Sequence, residues 1–359
     1  MAVCPVYRFS SWQPLGARLV LLVLVLLTLY GLAGVIAHPS REPTPTSAPS
    51  PDKGDVALYR AIVGHMAASE GYYTAVAREQ HARGYPTRPF VTWRLPTLAW
   101  VIDQLGENLA LSLLRLLVLL AILAWIQAMK DTAMGRYATI AGGLLVYFNL
   151  VIVVLPSTVV YVHEVWAGTL MALSLALHRR WWFLSVICGL AALGVRELAL
   201  PFALAMTYWA FREAHWSEVA AWGLGVLAFV LGLVVHASHV SEFIRPDALQ
   251  GPSWLAFGGW PFLLKVNQWN FITLIFGGML SAIWVPLALL GAAARLDPLG
   301  RRLMLIVWGY SLAFLFVGRS NNGYWGLIYG PMVAISLVFA PIALRDLWRA
   351  ARPRGLAEE

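Results

Sequence analysis

Long apolar stretches, separated by short basic clusters, run through most of the chain. The first uncharged stretch covers residues 19–37, and comparable stretches recur over 109–344. An α-helix needs about 20 apolar residues to cross a bilayer, and a charge-poor stretch of that length is typical of a membrane span. The pattern therefore predicts an all-α, polytopic membrane protein with a first span over 19–37 and the remaining spans within 109–344.

The longest polar segment, 38–108, lies between the first span and the others. It opens with a linker over 38–54 that is rich in Pro, Ser and Thr, which we expect to be extended. Apolar residues then recur at helical spacing, which predicts an amphipathic helix over 55–70 that lies on the membrane surface. The apolar positions are Val56, Tyr59, Ile62, Val63 and Met66. Three prolines in GYPTRPFVTWRLPTLAW then prevent another long helix.

The N-terminal residues 1–18 allow two interpretations. They carry Arg8 and Arg18 ahead of the first apolar stretch, and Val35-Ile36-Ala37 is loosely similar to a signal-peptidase site. The stretch is therefore either a cleaved signal peptide or a retained span with its N-terminus inside. Both interpretations place the segment 38–108 on the extracytoplasmic side.

Basic clusters set the predicted topology, because Lys and Arg collect in cytoplasmic loops. If all clusters are cytoplasmic, each interval between them holds an even number of spans. The hairpins then turn near residues 156–157, near Arg196, within the polar stretch 237–268 and within GRSNNGYWG. The prediction is a single membrane domain over 1–359 with about ten spans, both termini cytoplasmic and a tail over 345–359. The clusters are Lys130 with Arg136, His178 to Arg180, Arg212, Arg295 with Arg301 and Arg302, and Arg345 to Arg354.

The composition of the chain is typical of a membrane protein. Hydrophobic residues make up 60% of the chain and charged residues 12%, where a soluble domain carries about 25% charged residues. The net charge of +8 is explained by the cytoplasmic clusters, so no nucleic-acid partner is expected. Two cysteines, Cys4 and Cys188, make no disulfide framework.

Carboxylates stand at unusual places on the predicted outer side. Asp52 lies at the end of the linker, and Asp55 directly follows the linker and starts the amphipathic helix. Asp55 is either an N-cap or a positioned carboxylate available as a general base, and the two roles can coexist. Glu164 enters a span, where a carboxylate is costly unless it is paired or lines a wet cavity. Gly168, one turn further on the same face, would allow a neighbouring helix to approach closely.

Arginines accompany these carboxylates. Arg196 and Glu197 interrupt an apolar run at the turn of a short hairpin. Because neighbouring helix residues do not face each other, we expect separate partners, with Glu164 as the partner of Arg196. The alternative is a structural ion pair that closes the hairpin. Arg94 and Arg319 are further outward cations with aromatic neighbours, and a guanidinium suits either lipid headgroups or a bound phosphate.

Histidines do not predict a metal centre. His236 and His239 can share a helix face, but no third ligand follows at a suitable spacing. His65 and His81 likewise lack metal-ligand spacing. No metal ligand is therefore assigned.

Together these segments resemble the GT-C superfamily of polyprenyl-phosphate-sugar-dependent glycosyltransferases. In that superfamily a first span is followed at once by a long extracytoplasmic loop with an acidic residue and surface helices, the order found over 19–108. The segments HEVWAGTLMALSLAL, GVRELALPFALAM and RSNNGYWGLIYGPMVAISL are similar to later segments of such enzymes. The resemblance covers most of the chain through loose motifs.

The resemblance implies a monosaccharide transfer from a polyprenyl-phosphate donor, with inversion, at the extracytoplasmic face of a bacterial inner membrane. Asp55 would be the general base, with Asp52 as the other candidate, and Glu164 would orient an acceptor or an arginine. The spacing Asp-x-x-Asp departs from the family's Asp-x-Asp, which weakens any case for a divalent metal, and no other cofactor is implied. The acceptor, whether lipid, glycan or protein, stays open. Residues implied in binding the substrate and its phosphate are Arg94, Arg196, Glu197, Arg319, Asn322 and Tyr324.

Other classes stay open at this level. A transporter of lipid-linked or small polar substrates would place ionisable groups along a path near the bilayer midplane, whereas the predicted charges collect at one face. A non-catalytic scaffold of envelope assembly would scatter these residues. A ligase or polymerase acting on lipid-linked sugars is a further alternative.

Overall fold

Helices account for the regular structure of the chain. The computed structural model describes residues 7–37, 54–130 and 136–352, and within these ranges β pairing is limited to isolated bridges. Short 3-10 helices cover Arg8–Ser11, Phe90–Thr92, Ser157–Tyr161, Glu197–Ala199, Gly278–Leu280 and Gly323–Ile328. The α-helices are α1 (Pro14–Ala37), α2 (Asp55–Ala67), α3 (Tyr72–Ala82), α4 (Thr97–Leu105), α5 (Glu107–Lys130), α6 (Arg136–Val153), α7 (His163–Leu177), α8 (Trp182–Val195), α9 (Leu200–Arg212), α10 (Trp216–Phe243), α11 (Gly259–Val266), α12 (Phe271–Phe276), α13 (Ser281–Ala292), α14 (Pro298–Phe316), α15 (Gly330–Leu337) and α16 (Ala340–Ala351).

Four helices of the described chain are long and apolar enough to cross a membrane: α1, α5, α10 and α14. The pair α15 and α16, bent by 48°, makes a fifth if it is counted as one span. Large apolar side chains of α1 and α10 point away from the protein, among them Leu22, Leu224 and Leu231. Such extended apolar surface would be unfavourable in water and suits lipid. The protein is an integral membrane protein.

Two predicted hairpin turns lie where the pattern placed them. The chain reverses between α6 and α7 around residues 156–157, and it reverses at Arg196 between α8 and α9. These last two helices have 14 and 13 residues, shorter than the length of about 20 residues that crosses a bilayer perpendicularly.

Three predicted boundaries differ in the structure. The polar stretch 237–268 is not a simple turn, because α10 continues to Phe243 and α11 lies inside it. The following apolar stretch is broken at Gly277, whose φ of +89° is a conformation that favours glycine. The tail predicted to begin at residue 345 starts inside a helix, because α16 continues to Ala351.

The two ends of α5 identify two ends of the helix bundle. At its first residue, Glu107 pairs with Arg60 and accepts a hydrogen bond from Tyr161, both at 3.2 Å. At its last turns, Gln127 lines a small cleft together with His178 to Trp181 and Asp297 to Leu299. We call the second end the basic end, because the clusters at Lys130, at 178–180, at Arg212 and at 295–302 all lie there, with Arg8 bonded to Ala294.

The segment 54–105 packs as a separate layer at the opposite end, which we call the Asp55 end. Helix α2 begins at Asp55 and ends at Ala67, short of the predicted bound at residue 70, since Ser69 has a positive φ. The layer has its own apolar cluster, to which the end of α10 contributes Val240. The other members of that cluster are Leu58, Ile62, Met66, Tyr72, Ala75, Val76 and Trp93. The layer is therefore tied to the helix bundle by apolar packing.

Candidate functional site

A cavity of about 550 Å³ lies at the Asp55 end, between the 54–105 layer and the helices below it. We call it the Asp55 cavity. Four of the residues predicted to be functional line it together: Asp55, Arg94, Glu164 and Tyr324. They come from α2, the segment before α4, the first turn of α7 and the turn after α14, so distant parts of the sequence meet here. The other lining residues are Val56, Tyr59, Val153, Pro156, Thr158, Val159, Tyr161, Val162, Val165, Trp269, Leu274 and Leu327.

The carboxylate of Asp55 is held by two tyrosine hydroxyls. Tyr85 donates to Oδ1 at 3.0 Å and Tyr324 donates to Oδ2 at 3.1 Å. Burial raises the pKa of Tyr324 to about 12, and burial also raises the pKa of Tyr85. Both hydroxyls therefore stay protonated at neutral pH and are available to donate to the carboxylate oxygens.

The N-cap interpretation of Asp55 is wrong. Gly54 occupies the N-cap position of α2, and Asp55 is the first helical residue. Its side chain points to the two tyrosines instead of the backbone N–H groups of its own first turn. Its position in that turn still places it near the positive end of the helix dipole.

Arginines and glutamates alternate in a chain of ion pairs beside Asp55. Arg196 Nε donates to Glu164 Oε1 at 2.7 Å, both side chains being buried. Arg196 also contacts Glu197, and Glu197 lies 3.9 Å from Arg94 Nη1. The predicted pairing of Arg196 with Glu164 is thus present. This chain of four residues holds both guanidinium groups in place. Arg94 and Glu164 line the Asp55 cavity, whereas Arg196 and Glu197 do not.

The expectation of separate partners for Arg196 and Glu197 is wrong for a local reason. It assumed a continuous helix, but α8 ends at Val195 and Arg196 adopts extended φ and ψ angles of −147° and 116°. The break turns neighbouring side chains toward each other. Arg196 therefore serves both carboxylates.

Both guanidinium groups keep buried N–H donors without a partner among the described residues. The atoms are Arg94 Nε and Arg196 Nη2. A buried unsatisfied donor on a charged group is unfavourable by several kcal/mol, more than a neutral one. An anionic oxygen bound in or beside the Asp55 cavity would satisfy such donors, and guanidinium groups favour phosphate in this role.

One wall of the cavity is apolar and faces outward. Trp269 and Leu274 line it while keeping 51% and 61% of their surface exposed. Neighbouring Ile275 and Phe276 of α12 are similarly exposed. Such a wall can contact lipid chains, while Asp55 and Arg94 line the same cavity. Lys265, which lies with Trp269 against Gly323, adds a cation near this wall.

Two predicted residues lie elsewhere. Arg319 stacks on Trp254 with its guanidinium carbon 4.9 Å from the ring centre. Asn322 accepts a hydrogen bond from the backbone N–H of Arg319 at 3.0 Å. Neither residue lines the Asp55 cavity; they shape the turn that carries Tyr324. Asp52 lies outside the described residues.

Histidines and carboxylates of the described chain pair with other groups instead of gathering as metal ligands. Within residues 7–37, 54–130 and 136–352, no group of three or more His, Cys, Asp or Glu side chains could hold a metal ion. Near the candidate site, His65 pairs with Glu79 and Glu70 at 2.9 and 3.3 Å. His236 forms a hydrogen bond with Tyr73 at 3.0 Å.

Sequence reasoning missed the tyrosine that completes the site. Tyr85 follows Asp55 by 30 positions and lies in a proline-containing segment without periodicity. The aromatic residues near Tyr85 in the sequence were the only indication of its role. No protein-family model, curated protein or solved structure matches this chain.

Proposed function

We propose that this protein is a membrane glycosyltransferase that moves a monosaccharide from a polyprenyl-phosphate donor to an extracytoplasmic acceptor. The observation that carries the proposal is the composition of the Asp55 cavity. It combines a carboxylate for proton removal, the guanidinium of Arg94 with a buried free donor for a phosphate, and an exposed apolar wall for a lipid chain. A donor that is already anchored in the membrane fits a cavity built in this way.

The proposed topology has about ten spans, with the shorter apolar helices completing the set. Both termini and the basic end are cytoplasmic, and the Asp55 end faces the periplasm of a bacterial inner membrane. The gathering of the basic clusters at one end supports this assignment. An impermeant thiol reagent applied to intact cells should label Ser241→Cys and spare Ser10→Cys in a chain without Cys4, and the reverse pattern would invert the topology.

In the proposed reaction, an acceptor hydroxyl attacks the anomeric carbon from the face opposite the phosphate. The new bond joins the acceptor oxygen to the anomeric carbon, and the bond from that carbon to the phosphate oxygen breaks. The proton of the hydroxyl passes to the carboxylate of Asp55. The electron pair of the broken bond leaves with the polyprenyl phosphate, and one displacement inverts the configuration.

The arginines supply charge stabilisation in this proposal. The negative charge on the leaving phosphate increases as the bond breaks, and Arg94 and Arg196 have free donors to meet it. Preorganised donors of this kind are typically worth several kcal/mol in the transition state. Glu164 and Glu197 position the guanidinium groups.

The test of the donor site is binding of polyprenyl phosphate to the purified protein in lipid nanodiscs. Arg94→Gln should weaken binding by roughly 10-fold or more, since a charge-assisted hydrogen bond contributes about 1.5–3 kcal/mol. Arg212→Gln, an exposed substitution at the basic end, is the matched control and should bind like the wild type. Equal affinity of the Arg94→Gln and wild-type proteins would remove the phosphate role of Arg94.

A further inference from the structure

A second and larger cavity lies on the other side of Tyr85. Its volume is about 940 Å³, and it lies between α3 and the segment that follows α10. We call it the α3 cavity. Its volume is at the upper end of the range of roughly 300–1,000 Å³ for small-molecule sites. It therefore has room for a ligand larger than one sugar ring.

Backbone hydrogen bonds stabilise the side of the α3 cavity nearest Tyr85. Thr87 and Arg88 donate from their N–H groups to Leu249 at 3.2 and 3.3 Å, and Gly251 donates to Arg88 at 2.7 Å. Trp93 Nε1 also bonds to the carbonyl of Thr87 at 3.1 Å. The two segments that form this wall are thus joined to each other, which preforms the cavity.

Polar chemistry distinguishes the α3 cavity from the Asp55 cavity. Its charged lining contains two arginines, Arg78 and Arg245, and two carboxylates, Glu242 and Asp247, so the charges balance. All four are exposed. Because the positive and negative charges of the lining balance, the cavity does not favour a polyanion. The charged side chains around the cavity also disfavour a lipid chain. A neutral ligand with many hydroxyl groups can use donors and acceptors of both kinds.

Aromatic faces accompany these polar groups. Tyr85 and Phe243 line the same cavity with partly exposed rings, and the buried Trp93 also borders it. Aromatic rings offer large apolar faces of fixed geometry, which suit the C–H faces of sugar rings, while the charged groups suit their hydroxyls. This combination is the chemistry of a carbohydrate site.

Tyr85 connects the α3 cavity to the reaction centre. It lines the α3 cavity, and its hydroxyl donates to Asp55 Oδ1 at 3.0 Å, while Tyr324 from the Asp55 cavity holds Oδ2. The two oxygens of one carboxylate are thus reached from opposite sides. The hydroxyl of Tyr85 occupies the position that an attacking hydroxyl needs, at hydrogen-bond distance from the base.

We infer that the α3 cavity binds the acceptor, and that the acceptor is a neutral carbohydrate chain. This inference rests on the proposed function, which assigns the donor to the Asp55 cavity. A terminal sugar hydroxyl replaces the hydroxyl of Tyr85 at Asp55 Oδ1, gives its proton to that oxygen and bonds to the anomeric carbon of the donor. The polyprenyl phosphate leaves toward the apolar wall. The acceptor enters from water and the donor from lipid.

Photo-crosslinking in cells of the native host tests both cavities, because it captures whichever ligands occupy them there. One variant carries p-benzoylphenylalanine in place of Phe243 in the α3 cavity, and the other carries it in place of Leu274 at the apolar wall. After irradiation, mass spectrometry of the purified protein should find carbohydrate adducts at position 243 and polyprenyl-lipid adducts at position 274.

The outcomes separate the two proposals. Lipid or peptide adducts at position 243, or no carbohydrate there while position 274 captures a polyprenyl lipid, would overturn the acceptor site. Capture of carbohydrate at position 243 without polyprenyl lipid at position 274 would overturn the donor assignment and leave the carbohydrate site standing.

Substitutions of residues that line the α3 cavity allow a quantitative test of the acceptor site. Arg245→Gln should lower carbohydrate capture at position 243 by roughly 10-fold, the effect of losing about 1.4 kcal/mol of binding. Capture of lipid at position 274 should not change. Arg345→Gln at the basic end is the control and should leave both signals at the wild-type level. Equal losses at both positions would show misfolding, and unchanged capture at position 243 would contradict a role for Arg245.

Discussion

At the scale of residues, a buried partner could be predicted where a charge interrupts an apolar run. Arg196 and Glu164 both interrupt apolar runs, so each required a buried partner and their pairing followed from that need. The partners of Asp55, which are Tyr85 and Tyr324, carried no such signal. A tyrosine is acceptable in many environments, so its position alone does not predict a contact.

Removal of one member of the buried ion pair should destabilise the protein. Glu164→Gln leaves the buried guanidinium of Arg196 with less compensating charge, and breaking such a pair typically costs about 3–5 kcal/mol. Thermal unfolding of the purified protein in detergent measures the effect. Glu107→Gln removes the exposed pair with Arg60 and should cost about 0–1 kcal/mol. Equal effects of the two substitutions would contradict the buried role of Glu164.

At the scale of elements, short helices and breaks were harder to predict than turns. Two hairpin turns could be predicted because a charge or a proline separates two apolar stretches, namely Arg196 in one hairpin and Pro156 in the other. The break at Gly277 and the extension of α10 to Phe243 did not, because apolar content is similar in a straight helix and in a broken one. Tertiary packing decides these boundaries.

The close packing of another segment against Gly168 is a contact that the sequence did indicate. A Cβ atom at this position would overlap the carbonyl oxygen of Leu327 in the turn that carries Tyr324. Gly168→Ala should therefore lower stability by about 1–3 kcal/mol, as overpacking does, and displace Tyr324. Thermal unfolding measures this, with Gly232→Ala in α10 as the control, since open space surrounds Gly232. A Gly168→Ala protein as stable as the control would contradict the close approach.

The packing of α2 on α3 should weaken in acid. Burial alone would raise the pKa of Glu79, but hydrogen bonds from Arg83 and His65 outweigh it and lower that pKa. A lowered pKa gives stability that is complete above the unfolded value of about 4.3 and is lost as the pH falls through the folded value. Glu70 joins the same cluster through His65 and Arg78.

Hydrogen exchange of α3 at several pH values checks this prediction. Protection should be constant between pH 7 and 5 and should fall below about pH 4. Glu79→Gln, which cannot ionise, should show lower protection at neutral pH and a smaller change in acid. Protection that falls already between pH 7 and 6 would contradict the assignment of the transition to Glu79.

At the scale of the whole molecule, charge separates the two ends of the bundle. The basic clusters collect at one end, and Asp55, Arg94, Glu164 and Tyr324 meet at the other. Hydropathy and the spacing of basic residues were sufficient to assign these residues to one face. They were not sufficient to place Arg319 on Trp254, since residues on one face need not share a cavity.

Sugar transfer at Asp55 can be tested by mass spectrometry of lipid-linked sugars and envelope glycans in a deletion strain. We expect the strain to accumulate one polyprenyl-phosphate sugar and its glycan to lack the same monosaccharide. The wild-type gene and Asp103→Asn, a control in the same layer outside both cavities, should restore both, and Asp55→Asn should restore neither. An unchanged profile in the deletion strain, or full restoration by Asp55→Asn, would contradict sugar transfer at Asp55.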